Sequence, residues 1–246
     1  MDLKYVTQIL QAKALTYRRL WDYYDGDHPL RYSTKRLEEL FAQIDCKFVW
    51  NWCAVVVDSI LDRIDFNQFD VNGNEELADL LNYWLKRTQL DLDMEDVHRA
   101  ALVTGEAFVA VWKDDNGRIE AYYNDPTLCH VAYDPERPRE KLWAAKWWLT
   151  ADGYRRLNVF YPDHIEYYIS TEQDKGIGEL KFEEFQPEAE NPYGQIPIFH
   201  FRRDLRRAEA EFSKIIPIQD AINKLFSDLM IAAEFGSVRQ RWVIGS

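Results

Sequence analysis

The chain has 246 residues, is 47% hydrophobic, and carries 9 Trp, 14 Tyr and 13 Phe. That composition excludes intrinsic disorder and suits one large domain or two small ones around a real core. A net charge of −12 excludes a surface that grips nucleic acid throughout, because such affinity comes from Lys and Arg neutralising phosphates.

Cys46, Cys53 and Cys129 form no CxxC pair and read as reduced, buried thiols. The N-terminus, MDLKYVTQILQAK, has no basic region followed by an apolar core, and no apolar run is long enough for a membrane span. The chain is expected to be made and to stay in a cytoplasm.

In chain order, the spacing first predicts a helix from Val6 to about Tyr24, with Val6, Leu10, Tyr17 and Leu20 on one side. Gly26 and Pro29 end it. A short helix should follow, capped by Ser33 or Thr34, with Leu37, Leu40 and Phe41 inward. Another spans Trp50 to Ile64. Phe66 to Val71 alternates and reads as a short strand. Glu75 to Thr88 is amphipathic, with Leu77, Leu80, Leu81, Trp84 and Leu85 expected to face inward. Leu92 to Thr104 is a further helix, closed by Gly105.

Near Gly105 the period changes from helical to alternating. Ala107 to Trp112 and Arg118 to Tyr123 read as strands joined through Asn116-Gly117, a strong hairpin signal. Cys129 to Tyr133, Leu142 to Leu149, Tyr154 to Phe160 and His164 to Ile169 continue an antiparallel meander. Thr171 to Asn191 is acidic and reads as an irregular excursion with one short strand near Leu180 to Phe185. Ile196 to Phe201 is the last strand.

A long helix is expected from about Ala208 to Phe235. Ile215, Ile218, Ile222, Leu225, Leu229 and Ala232 follow heptad-like spacing. Asp220, Asn223, Lys224, Ser227 and Asp228 form one narrow polar strip. Arg241-Trp242-Val243-Ile244-Gly245 looks like a strand beginning, so the chain is expected to stop mid-protein.

HExxH, P-loop, GxSxG and GxGxxG patterns are absent from the sequence, and the five histidines lie in no metal-ligand spacing. No catalytic, cofactor-binding or metal-ligating residue is assigned. The acidic run Asp91, Asp93, Glu95 and Asp96 reads as a helix start rather than a calcium loop. Trp143, Trp147 and Trp148 suit core or interface packing better than a sugar platform. Arg202, Arg203, Arg206 and Arg207 suit ion pairing with a neighbour's acidic surface better than phosphate binding.

Four local patterns, in order, carry a resemblance. They are Tyr23-Tyr24-Asp25-Gly26-Asp27; Asn51-Trp52-Cys53-Ala54-Val55-Val56-Val57-Asp58; Gly105-Glu106-Ala107-Phe108 with Asp125-Pro126; and Asn191-Pro192-Tyr193-Gly194 with Ile196-Pro197-Ile198, followed by Ile218-Gln219-Asp220-Ala221-Ile222-Asn223-Lys224. With them the chain resembles the wing and first stem helix of tailed-bacteriophage portal proteins, siphophage type. The expected fold is α+β: a wing over 1–205, with helices packed on a mainly antiparallel sheet, then a stem-like helix and the start of a clip-like region over 206–246.

The resemblance implies a non-enzymatic homo-oligomer, a dodecameric ring at one capsid vertex, assembled in the host cytoplasm. It implies a packaging motor (terminase), head-completion adaptors and capsid or scaffolding protein as partners. Double-stranded DNA would pass through without tight binding, and no cofactor is implied. In such a ring, Asp220, Asn223, Lys224, Ser227 and Asp228 are expected to face the channel, with Asp220→Asn tolerated. Ile218, Ile222, Leu225 and Leu229 are expected at the subunit interface. The competing reading is a carbohydrate-binding or carbohydrate-active protein using aromatic strand residues.

Overall fold

The computed structural model describes residues 2–29, 31, 49–114, 116–176, 180–204 and 207–237. The helix expected at Ser33 to Phe41, Cys46, Arg206 and the terminal strand expected at Arg241 lie outside them.

Helix α1 (Leu3–Asp25) opens on Asp2, whose carboxylate accepts from the Lys4 amide at 2.9 Å, and closes on Gly26 in the left-handed conformation. Helix α2 (Trp52–Leu61) is capped by Asn51, and α3 (Glu75–Arg87) by Asn74. Helix α4 (Leu90–Thr104) begins with Asp91 and Asp93 in its first turn, where negative charge suits the helix dipole, and ends at Gly105.

Eight strands then follow among the described residues. They are β1 (Glu106–Lys113), β2 (Ile119–Asn124), β3 (Cys129–Tyr133), β4 (Lys141–Leu149), β5 (Tyr154–Phe160), β6 (His164–Gln173), β7 (Phe182–Glu190) and β8 (Ile198–Arg202). The last described helix is α5 (Ile216–Ser237).

The strands make two antiparallel sheets, β2-β1-β8 and the meander β3-β4-β5-β6-β7. The first sheet packs one face on α4, where Ala107, Val109 and Ala121 meet Met94, Val97 and Ala100. Its other face brings Phe108 and Ile198 against Cys129, Val131 and Ala144 of the meander. The meander's far face meets Val6 and Leu10 of α1 through Trp143, Ala145, Trp147, Leu157 and Val159. Strand β4 is therefore buried on both faces, which explains its run of consecutive apolar residues. The fold is the expected α+β arrangement of helices on antiparallel sheet.

Four expectations need correction. Residues 66–71 form no strand, because the Asn82 side chain takes both the Phe69 amide (2.7 Å) and its carbonyl (2.9 Å), the groups a ladder would use. The strand expected near Leu180 to Phe185 in the acidic stretch after β6 is longer and lies later. Strand β7 runs nine residues at the sheet edge, and its exposed Glu side chains hide any apolar alternation. In α3 only Leu85 is fully buried, and Leu77 and Leu80 are exposed. The last helix starts eight residues later than expected, at Ile216, with Pro217 in its first turn, where the missing N–H costs nothing.

Candidate functional site

Three of the segments that carried the resemblance, at residues 23–27, 51–58 and 218–224, meet at one joint between α1, the turn before α2, and α5. Gly26 has φ +76°, which lets the Asp27 and His28 amides both donate to the Asp22 carbonyl, at 2.7 and 3.1 Å. The reversed chain lays the His28 ring on Tyr23, with centroids 4.2 Å apart. Asn51 caps α2 by accepting from the Ala54 amide at 3.1 Å, and its amide nitrogen donates to the Tyr24 carbonyl at 2.5 Å. The Tyr24 hydroxyl donates to Asp58 at 2.7 Å.

Helix α5 supplies the third side. Gln219 accepts from the Trp52 amide at 2.7 Å and donates to the Trp50 carbonyl. Asn223 accepts from the Trp50 amide at 2.9 Å, and its amide nitrogen lies 3.2 Å from His28 Nε2. Asp220 accepts from the Tyr23 hydroxyl at 3.0 and 3.2 Å and stands 3.7 Å from Arg31 Nε. Ser227 donates to the Asn223 carbonyl at 2.8 Å. Two side chains of α5 thus satisfy the backbone of residues 50–52 as a paired strand would. Each such group left unpaired in a buried place costs about 1–3 kcal/mol. Burial, aided by the bond to Asp220, raises the Tyr23 phenol's pKa. Burial, with Asp220 nearby, pushes the Cys53 thiol up to about 11.

This geometry corrects part of the channel-facing assignment. Asp220, Asn223 and Ser227 are buried within their own chain, so they face neither solvent nor a lumen. The polar residues of this apolar helix form a hydrogen-bonded seam and not a wet strip. Only Lys224 and Asp228, paired with each other at the edge of that seam, are partly open. The opposite row is the exposed one: Ile218 is 59% accessible, Leu225 68% and Leu229 64%, with Ile222 half-buried. Trp50, Trp52 and Val55 are exposed as well, with Trp50 5.9 Å from Phe226.

Sequence reasoning missed Gln219, His28, Tyr23 and the backbone of residues 50–52 as one unit. The signal was available in the spacing, since Gln219, Asp220, Asn223 and Ser227 repeat at one to four residues and share one side of a helix.

A second polar centre joins α1 to strands β1 and β8 of the small sheet. Glu106 is buried, accepts from the Tyr17 hydroxyl at 2.5 Å, and pairs with Lys13 and, at 2.9 Å, with His200 Nε2. Burial alone would raise the carboxyl's pKa. The His200 contact and the Lys13 charge outweigh it and hold the group down at about 2. Burial lowers His200, and drives His130 down to about 3.

Two other readings can be placed. Trp143 and Trp147 are buried against α1, so no three-Trp sugar platform exists. Arg203 pairs with Glu211 and Arg207 with Glu209 (2.7 Å), so these arginines find their acidic partners within the chain. Among the described residues, no group of three or more His, Cys, Asp or Glu is arranged to hold a metal ion, and no helix is long and apolar enough to cross a membrane.

The body is α+β, and its last described helix turns polar side chains inward and an apolar row outward. The family model "Phage portal protein, SPP1 Gp6-like" matches residues 3–246, and the chain belongs to that family. The resemblance read from the motifs therefore holds. The role it defines is structural, that of a phage portal protein, and the family is not one of enzymes. No curated protein matches the chain.

Proposed function

We propose that the chain forms the wing (1–205) and first stem helix (206–246) of a portal subunit, and that copies close into a dodecameric ring around the DNA channel. The observation that carries this is the orientation of α5. A helix on a lone soluble protein hides its apolar stripe. This one shows Ile218, Leu225 and Leu229 to the outside and hides Gln219, Asp220, Asn223 and Ser227. A neighbouring copy covering Ile218, Ile222, Leu225 and Leu229 removes the mismatch, and a ring repeats that contact on each subunit.

In this ring Lys224 and Asp228 are the members of the polar strip left to face the channel. The net charge of −12 supports passage of DNA without tight holding. The ring docks a packaging motor and head-completion proteins and sits against capsid or scaffolding protein, having assembled in the host cytoplasm. The chain itself performs no hydrolase, transferase or nuclease chemistry. Negative-stain imaging of the purified protein tests the reading. Rings with a central hole are expected, and monomers that bind glycans would replace this account with the carbohydrate one.

A further inference from the structure

We infer that the cleft where the two sheets face each other is a binding site for a small organic carboxylate, with Lys146, Asn158 and Tyr167 as its recognition groups. The site is built within one chain, so the inference stands or falls separately from ring formation.

The argument begins with the strand register. Cys129, Lys146, Asn158 and Tyr167 stand directly opposite one another on β3, β4, β5 and β6. Opposed residues of an antiparallel sheet share a face. Cys129 packs against Phe108 and Ile198, so this row lies on the side that meets the small sheet. Beside Cys129 that contact gives way to a cavity of about 210 Å3, lined by Lys146, Asn158 and Tyr167. Its aromatic walls are Tyr122, Trp112 and Phe160, the last two with ring centroids 6.4 Å apart.

The polar side chains of the row have no partners among the described residues. Lys146 Nζ stands 4.8 Å from the centre of the Tyr122 ring and 5.9 Å from that of Trp148, and it makes no ion pair or hydrogen bond. The side chains of Asn158 and Tyr167 make no hydrogen bond either. Arg156, two residues from Asn158 and therefore on the same face, lies over Phe185, and its buried Nε has no hydrogen-bond partner. Carboxylates are plentiful in this chain, with 42 acidic residues against 30 basic ones, and Lys13 and Lys224 are each paired with one. At Lys146 none offsets burial, which lowers the amine's pKa, and burial raises that of the Tyr167 phenol.

Half-buried donors without acceptors favour a ligand that brings oxygens, and a cation without a counter-charge favours an anion. A carboxylate meets both demands, with a charge-assisted bond to Lys146 and neutral ones to Asn158 and Tyr167. The aromatic walls fit a flat, apolar body behind the carboxylate.

Benzoate is the probe for this chemistry, and benzamide is its neutral counterpart. Isothermal titration calorimetry of the purified protein should give benzoate a Kd on the order of 1 mM or tighter, with benzamide at least about tenfold weaker. Lys146→Met keeps the apolar stem and removes an unpaired charge, so the variant should fold and bind benzoate at least about tenfold more weakly. Tyr167→Phe removes one hydroxyl and should weaken binding severalfold. Equal affinity for benzoate and benzamide would overturn the proposal, as would unchanged benzoate affinity in Lys146→Met or no binding at roughly ten times the expected Kd. An acidic side chain of a second copy has the same chemistry, and benzoate would displace it. Sedimentation velocity with saturating benzoate separates the two sources: an unchanged particle size supports a free ligand, and smaller particles would overturn it.

Discussion

Glu106 shows what a single buried charge does here. Its carboxylate is held at about 2 against an ordinary value of 4.5, so the folded state favours the charged form. The stabilisation is about 3 kcal/mol, fully present above the unfolded value and lost as pH falls from about 4.5 towards 2. His130 acts in the same direction over a wider window. Its folded value of about 3 lies below the ordinary 6.5, so its contribution is complete above about 6.5 and lost as pH falls towards 3. Acid should therefore destabilise the wing from both sites. His130→Leu removes a buried ring nitrogen that has no hydrogen-bond partner among the described residues. The variant should flatten the stability profile between about pH 6.5 and 4.5, as followed by urea denaturation. Glu106→Gln leaves the partly buried Lys13 without its counter-charge and should lower stability by about 3 kcal/mol at neutral pH. An unchanged denaturation midpoint in Glu106→Gln would refute the assignment of this pair.

Among the elements, the step from α4 to β1 packs against the segment that leads into α5. Gly105 has φ +89°, and a Cβ there would lie 2.2 Å from the Glu209 amide nitrogen and 2.7 Å from the Ala208 carbonyl carbon. The same stretch is held by the Glu211 amide on the Leu102 carbonyl at 2.8 Å and the Arg203 amide on the Gly105 carbonyl at 3.1 Å. Gly105→Ala should then cost more than the ~1 kcal/mol of an ordinary glycine replacement, because backbone must move, and it should lower the melting temperature and the protection of α5 together. Leu80→Ser on α3 should change the stability of the isolated chain by less than about 0.5 kcal/mol, because its side chain is half-exposed. A loss comparable to that of a core leucine would show that α3 is covered.

The same contrast explains what was legible in the sequence. Strand β3 fell on Cys129 to Tyr133 as expected, and β4, β5 and β6 began within a residue of their expected starts, because turn residues separate their apolar and aromatic runs. Strand β7 was obscured because an edge strand with exposed faces has no apolar period to display. The α3 periodicity was real, but periodicity gives a face and not its partner. The joint was half legible for the same reason. The polar strip on α5 could be read from spacing, whereas its inward direction depends on Tyr23, His28 and the turn at Trp50, which only the tertiary fold brings to it.

At the scale of the whole molecule, two outward features divide the work of association. The β7 edge carries Glu183, Glu184, Glu188 and Glu190 together with Pro187, which discourages another strand from pairing there. The α5 row has no such guard, and its apolar side chains stand beside exposed Trp50, Trp52 and Val55. On the proposed ring reading, association is directed to the helix. Leu225→Asp places a charge on that row. In a lone chain the side chain is solvated and folding should be unaffected; between subunits the charge is buried and unpaired, which costs several kcal/mol in comparable sites. Asp220→Asn acts on the other side of the helix. It weakens the acceptor for the Tyr23 hydroxyl, so it should lower the stability of the joint, contrary to the neutral outcome expected for a channel-facing residue. Sedimentation velocity of the unaltered protein and Leu225→Asp is the most direct test. The account predicts ring-sized particles for the unaltered protein and folded single subunits for Leu225→Asp. Ring-sized particles from Leu225→Asp, at the same protein concentration, would contradict it.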